Sequence, residues 1–343
     1  MIRASLAVGA CLVTLLCSAL EAQAPATPAR PPAPGPWRMV GAPPCLGPEG
    51  GTIPCPPAAR VTAIRAARLF DSVTGRMLTG QVVLVQGERI TDVGASSQIA
   101  IPAGAQVIDL GTATVLPGLI DAHTHMFNNP TPKISRERAT MLAVQNLQLD
   151  LRAGFTAARD MTSHGNGYAD VEMRDAINAG DLDGPRFQVS GRGIRWSAEP
   201  PNPAAAANPL ADIVIRSAEE GRAAVREAVG RGVDWIKVYP GGAYSFSPTG
   251  EPQYVTNYPL PVLQALLDET HRLGRRAACH VFGGEGLQNA ITAGCDTVEH
   301  GYGLTQAQLD MMVQKKLDFD PTLARYNAPN MDDNDAKNTG GKY

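Results

Sequence analysis

His123 and His125 stand one residue apart at the end of the apolar run Pro117-Gly118-Leu119-Ile120-Asp121-Ala122. In an extended strand, residues i and i+2 face the same way, so two neutral imidazoles at this spacing can hold one cation together. An isolated His-x-His is also found as a pair of hydrogen-bonded core histidines, and the spacing alone does not separate the two. Asp121, two residues before the pair, is expected on the same face, where it can orient the imidazoles from behind. Three more residues of this kind sit in short apolar runs. Lys237 lies within Asp234-Trp235-Ile236-Lys237-Val238-Tyr239, His280 follows Ala277-Ala278-Cys279, and His300 closes Asp296-Thr297-Val298-Glu299-His300. A lysine in such a run is costly as a buried ammonium. It shifts its pKa, snorkels to water, or reacts with carbon dioxide to give a carbamate whose oxygens can bridge two cations. Beside four histidines, the carbamate is the expectation.

Such residues need strands that bring them to one place. After Thr112 the chain alternates strand-like and helix-like segments. Strand-like runs cover Val115–His125, Phe155–Arg159, Phe187–Ser190, Trp235–Tyr239, Ala277–Val281 and Thr297–His300, with Asp318–Leu323 as a possible seventh. Between them, Met141, Val144, Leu147 and Leu151 recur at helical spacing, and Ser217 with Glu219 and Glu220 reads as a helix start. Repeated βα units imply a parallel sheet, and their number favours a closed barrel. His123 and Lys237 are 114 residues apart, or about three units of roughly 38 residues in an eightfold barrel. That count places the five residues at the ends of strands 1, 4, 5 and 6, all at one mouth. The expected class is therefore α/β, a (β/α)8-type TIM barrel over residues 115–326. A small β-sandwich-like N-terminal domain is expected over 61–114, from short β-favouring runs punctuated by Gly75, Gly80, Gly87 and Gly94.

Residues 1–24 read as a signal peptide, with Arg3 before a mostly apolar run from Ala4 to Leu20 that is short for a membrane span. Export is expected, with no span in the mature chain. Residues 25–60 read as a proline-rich linker in which Cys45 and Cys55 can form a disulfide. Cys279 and Cys295 are expected to be buried small hydrophobes. Thirty Lys and Arg against 33 Asp and Glu, with no basic block, exclude a nucleic-acid partner on charge grounds.

Pro117 to His125, Ile236-Lys237-Val238, His280 and Val298-Glu299-His300-Gly301 together resemble the amidohydrolase superfamily, in its branch related to imidazolonepropionase and to Xaa-Pro or Xaa-Arg dipeptidases. The likeness runs from about Ala63 to Leu323. It implies that His123 and His125 bind a buried metal, that Lys237 as carbamate bridges two divalent metal ions, and that His280 and His300 bind the more exposed one. Zinc suits these N/O ligands, although ligand type leaves manganese and iron open. The implied reaction is cleavage of an amide or peptide C–N bond in a small molecule such as a dipeptide or N-acyl amino acid, by a metal-bridging hydroxide. The family also uses an aspartate after strand 8 as a base. The tail 327–343 is Asn, Asp, Gly and Lys with little to bury, and none of Asp332, Asp333 and Asp335 is nominated for that role. The chain is thus expected to be C-terminally truncated and its barrel incomplete. The alternative is an inactive relative that binds metal or ligand without catalysis; a mononuclear deaminase is disfavoured by Lys237.

An aromatic residue stands two positions after each ligand: Phe127, Tyr239, Phe282 and Tyr302. If strand alternation persists, these rings wall the mouth as a substrate pocket; the competing account is ordinary packing at strand ends. His164 and His271 are expected to be solvated. Oligomeric state is left open.

Overall fold

The computed structural model describes residues 60–128, 134–199 and 208–323, preceded by two short strands, Cys45–Leu46 and Thr52–Ile53. The signal segment, the side chains of the expected Cys45–Cys55 bridge and the polar tail lie outside the described residues.

Val61–Asp71, Arg76–Gln86 and Arg89–Ala95 form an antiparallel meander. Gly75 and Gly87 supply the positive φ of its turns, 68° and 60°, a region that glycine enters without the steric cost a Cβ brings. Gln106–Asp109 and Thr114–Val115 join Val61–Asp71 in parallel. The result is one five-stranded sheet, not the two facing layers of a sandwich. Its core is correspondingly small: Ala63, Val82 and Leu84, with Val61, Ile99 and Ile101 packed against them.

Apart from the antiparallel pair Gly241–Phe246 and Pro252–Thr256, the strands that follow run parallel in two arcs. The first holds Leu119–Thr124, Phe155–Asp160 and Arg186–Val189. The second holds, in spatial order, Ile213–Ile215, Ile194–Trp196, Trp235–Val238, Arg276–Gly283, Thr297–Gly303 and Asp318–Asp320. Helices Arg136–Ala153, Ala169–Ala179, Ala218–Gly230, Leu260–Arg272, Gly284–Ala293 and Gln306–Lys315 alternate with them. Their limits follow from local chemistry. Ser135, Ser217 and Thr305 accept hydrogen bonds from backbone N–H groups of the first turns, and Gly154, Gly180 and Gly294 end helices in the left-handed conformation. On the first helix the buried face is Ala139, Ala143 and Leu147, whereas Met141, expected to be internal, is 70% exposed.

Asp234 joins the two arcs. Its backbone N–H donates to Val189 O at 2.8 Å, its carboxylate accepts from Val189 N–H at 3.1 Å, and Arg174 holds that carboxylate at 3.0 Å. Among the described residues no strand lies beyond Leu119–Thr124 or Asp318–Asp320, so the barrel is not closed there and Ile120 is 71% exposed.

Alternation decides what faces inward. Ile236, Val238, Cys279, Val281 and Val298 enter the main apolar cluster beneath the helices. Trp235 and Ala278 instead pack with Met161 in a separate small cluster. Lys237 and His280, two residues further along the same strands, share that parity and point inside.

Cys279 and Cys295 are fully buried, as expected, but joined as a disulfide with Cα atoms 6.2 Å apart. Cys279 ends the run before His280, and Cys295 lies just ahead of the His300 strand. Closing a loop of 16 residues stabilises a chain by about 3 kcal/mol. Peptide mapping without reductant is expected to recover the Cys279–Cys295 pair, and C279A/C295A to lower the unfolding free energy by about 2–4 kcal/mol. Free thiols at both positions in native protein would contradict this pairing.

Candidate metal centre and its cavity

The four histidine rings nominated from sequence form a continuous chain. The His123 ring lies 5.2 Å from His125 and 5.0 Å from His300, and His300 lies 4.5 Å from His280, centroid to centroid. His300 Nε2 is 2.9 Å from His280 Nδ1. Lys237 Nζ is 5.6 Å from the Tyr239 ring, which is 5.1 Å from His280. His125, Lys237, His280 and His300 line one cavity of about 350 Å³, and His123 sits behind them. All five residues are thus brought together.

Lys237 is 1% exposed and its Nζ has no hydrogen-bond partner. Burial pulls its pKa down to about 8, with Arg159 and Arg195 acting in the same direction and Glu299 opposing. The imidazoles of His125 and His280 are held well below their usual pKa, first by burial and then by neighbouring histidines and Lys237. Neutral imidazoles keep the lone pairs that a cation requires, and a deprotonated amine is the form that takes up carbon dioxide. The donor set therefore fits a metal centre. An orphaned buried amine among neutral rings otherwise incurs a desolvation penalty without compensation.

His123 is oriented by Glu299, not by Asp121. Its Nδ1 lies 2.5 Å from Glu299 Oε2, while Asp121 accepts only the His123 backbone N–H, at 3.1 Å. The pairing of Leu119–Thr124 with its neighbour shifts register between Asp121 and Thr124, so the simple two-residue alternation assumed for Asp121 does not hold. Arg159 donates to Glu299 Oε1 at 2.9 Å, and the Thr297 hydroxyl donates to the same oxygen. Glu299, His123 and Asp320 have donor atoms within 4.8 Å of one another.

His300 reaches the centre through an unusual backbone. Val298 faces the helices, so alternation would also send His300 outward. A φ of 77° turns it in, where its Nδ1 meets the Thr322 hydroxyl at 2.8 Å. Thr162 (φ 123°), His164 (46°) and Thr322 (49°) also adopt positive φ close to the cavity. Strain of this kind collects at functional sites.

The expected aromatic wall is not present. Of Phe127, Tyr239, Phe282 and Tyr302, only Tyr239 lines the cavity. Phe127 is buried in the main core, Phe282 stacks behind His300 at 5.2 Å, and Tyr302 is 41% exposed against Tyr244. The physical reason is that alternation is broken beside the ligands: positive φ at His300 and Gly301 redirects Tyr302, the pairing of the Phe282 strand shifts register between Val281 and Gly283, and the chain has left its strand before Phe127. The wall is instead polar. The segment between Val189 and the next helix contributes Arg195, Asn208 and Asp212. The Arg195 guanidinium lies over the Tyr239 ring at 3.5 Å and its Nε pairs with Asp212. Burial raises the Tyr239 phenol above its usual pKa. His164 also lines the cavity, stacked on His125 at 4.1 Å, whereas His271 bonds Asp296 at 2.9 Å on the outside.

Sequence reasoning missed Glu299, Arg159, His164, Arg195 and Asp212. The first had a signal, an acid inside the apolar run Thr297-Val298-Glu299. Arg195 and Asp212 had none, because they lie 17 residues apart in a segment without periodicity.

A profile of the Amidohydrolase family matches residues 114–334, well over half of the chain. Ochratoxinase from Aspergillus niger is 27% identical over 286 residues, covering 75% of this chain and 58% of that protein. An uncharacterized protein of Mycobacterium tuberculosis is 28% identical over 223 residues, 64% of this chain and 53% of its own length. The chain thus spans little more than half the length of these curated relatives. Among solved structures, a Xaa-Pro dipeptidase with methionine bound in its active site has a TM-score of 0.67 at 28% identity, covering 77% of this chain and 67% of that one. A prolidase complexed with N-methylphosphonate-L-proline has the same TM-score at 26% identity, with coverage of 78% and 67%. These neighbours imply a TIM-barrel-like α/β fold, in agreement with the parallel βα units. The chain belongs to the amidohydrolase family.

Proposed function

We propose that this chain is a metal-dependent hydrolase cleaving C–N bonds of small amides or peptides, such as dipeptides and N-acyl amino acids. The observation that carries this is the buried, unpartnered Lys237 amine facing a cavity ringed by histidines. His123 and His125 would hold one divalent cation and His280 and His300 another, with carboxylated Lys237 between them; zinc suits these donors. Such a pair supplies a Lewis acid for the carbonyl and an acidified water. The names of the dipeptidase, prolidase and ochratoxinase neighbours support the substrate class.

The chain's own residues bind and orient. Arg195, seated on Tyr239, is a cation on the cavity wall suited to a substrate carboxylate. Asp212 pairs with Arg195, which assigns it to holding that side chain in place instead of moving a proton. The Tyr239 phenol, kept protonated by burial, can donate a hydrogen bond. The Cys279–Cys295 disulfide and the apolar segment after Arg3 support export. The edge that Leu119–Thr124 presents unpaired among the described residues favours a second reading, in which cations are held without turnover.

Metal analysis of purified protein, coupled to a panel of dipeptides and N-acyl amino acids, separates the two. About two cations per chain with turnover supports the hydrolase; two cations without turnover selects the second reading; no bound cation rejects both. K237A is expected to lose at least one cation and about 100-fold or more of the activity, with partial rescue by short carboxylic acids that replace the carbamate. Full activity in K237A would rule out a bridging role. R195Q is expected to raise KM by about 10–100-fold for free-acid substrates, the loss of a charged hydrogen bond, and to leave their C-terminal amides little changed. Equal effects on acids and amides would remove Arg195 from carboxylate binding.

A further inference from the structure

Glu299 is fully buried on the inward face of its strand, in register with His280, and both of its oxygens are committed. Oε2 meets His123 Nδ1 at 2.5 Å; Oε1 accepts from Arg159 at 2.9 Å and from Thr297. Arg159 is itself immobilised. Its Nε donates to Ala122 O at 2.5 Å, and its guanidinium lies 4.5 Å from the Trp235 ring centre and 3.7 Å from Asp320. Two of the other rings lie against neutral oxygens: Thr162 O is 3.5 Å from His125 Nδ1, and the Thr322 hydroxyl 2.8 Å from His300 Nδ1.

We propose that Glu299 is a positioning residue that fixes His123 as the Nδ1–H tautomer and makes the His123 position the tighter of the two cation sites. The proposal rests on the metal-centre reading above and deepens it. A carboxylate behind an imidazole holds the proton on the near nitrogen, leaves the lone pair on Nε2, and makes that nitrogen a stronger donor. A hydroxyl or a backbone carbonyl does this less, because neither carries a full charge. The geometry thus makes the two ends of the centre unequal. Direct ligation by Glu299 and Asp320 is disfavoured, because the Arg159 guanidinium bonds one and approaches the other, and a cation there would face a fixed positive charge.

The test is a Zn²⁺ titration of the demetallated full chain against a competing chelator. The wild type is expected to show two affinity classes. E299Q should weaken the tighter class about 10–100-fold and leave the weaker one within threefold, whereas T322V should weaken only the second class. Equal weakening of both classes by E299Q, or no change in the tighter one, overturns the proposal. Because E299Q also leaves Arg159 without its partner, an independent readout uses the wild type alone. Long-range ¹H–¹⁵N correlation on ¹⁵N-histidine-labelled, metal-free protein is expected to show His123 protonated at Nδ1; protonation at Nε2 overturns the proposal. A wild type that binds no Zn²⁺ but shows the Nδ1–H tautomer would locate the failure in the metal-centre reading.

Discussion

The cost of burying the Lys237 amine organises this protein. An ammonium at 1% exposure with no hydrogen-bond partner is unfavourable, and the surroundings relieve it only in part: Glu299 and Asp212 favour the charge, Arg159 and Arg195 oppose it, and the rings about it are neutral imidazoles and a phenol. What the fold does instead is depress the pKa to about 8, so that the uncharged amine becomes accessible near neutral pH. The same burial that lowers the lysine's pKa keeps His125 and His280 neutral. One physical effect thus acts on the amine and on the imidazoles together.

Backbone geometry accounts for the rest of the convergence. Strand parity suffices for Lys237 and His280, whose neighbours Ile236, Val238, Cys279 and Val281 pack outward against helices. It does not suffice for His300, which sits next to an inward-facing glutamate and needs a left-handed φ to face the same way. A single strand therefore contributes two consecutive residues to one centre, one as support and one as wall. Helix packing and the Asp234 bonds between the arcs hold the strands whose ends make this possible.

How far the sequence could be read follows from the same geometry. The convergence of the five nominated residues, the parallel βα units and the helix start at Ser217 were legible because parity, apolar runs and capping residues are local signals. The aromatic wall was misread because simple parity was assumed through irregular strand segments, at His300 and Gly301 and at the register shift after Val281, and past the strand end before Phe127. The sandwich expected at the N-terminal end became one sheet, since alternation alone shows how many strands there are but not how they layer. Arg195 and Asp212 were illegible because their segment has no period; only pairing Ile194–Trp196 with Ile213–Ile215 brings them together. The Cys279–Cys295 bond was missed for a related reason, as both cysteines sit in apolar surroundings that resemble plain packing.

That bond links the residue just before His280 to the approach of the His300 strand. The two histidines whose rings face each other at 4.5 Å are therefore tethered covalently on the side away from the cavity. Local opening, the usual way a protein exposes a buried corner, would have to spread beyond this loop before those rings could separate. In a reducing compartment that tether would be lost, leaving the backbone ladder and core packing to oppose the separation. The durability of the His280–His300 corner is thus tied to the redox state of its surroundings.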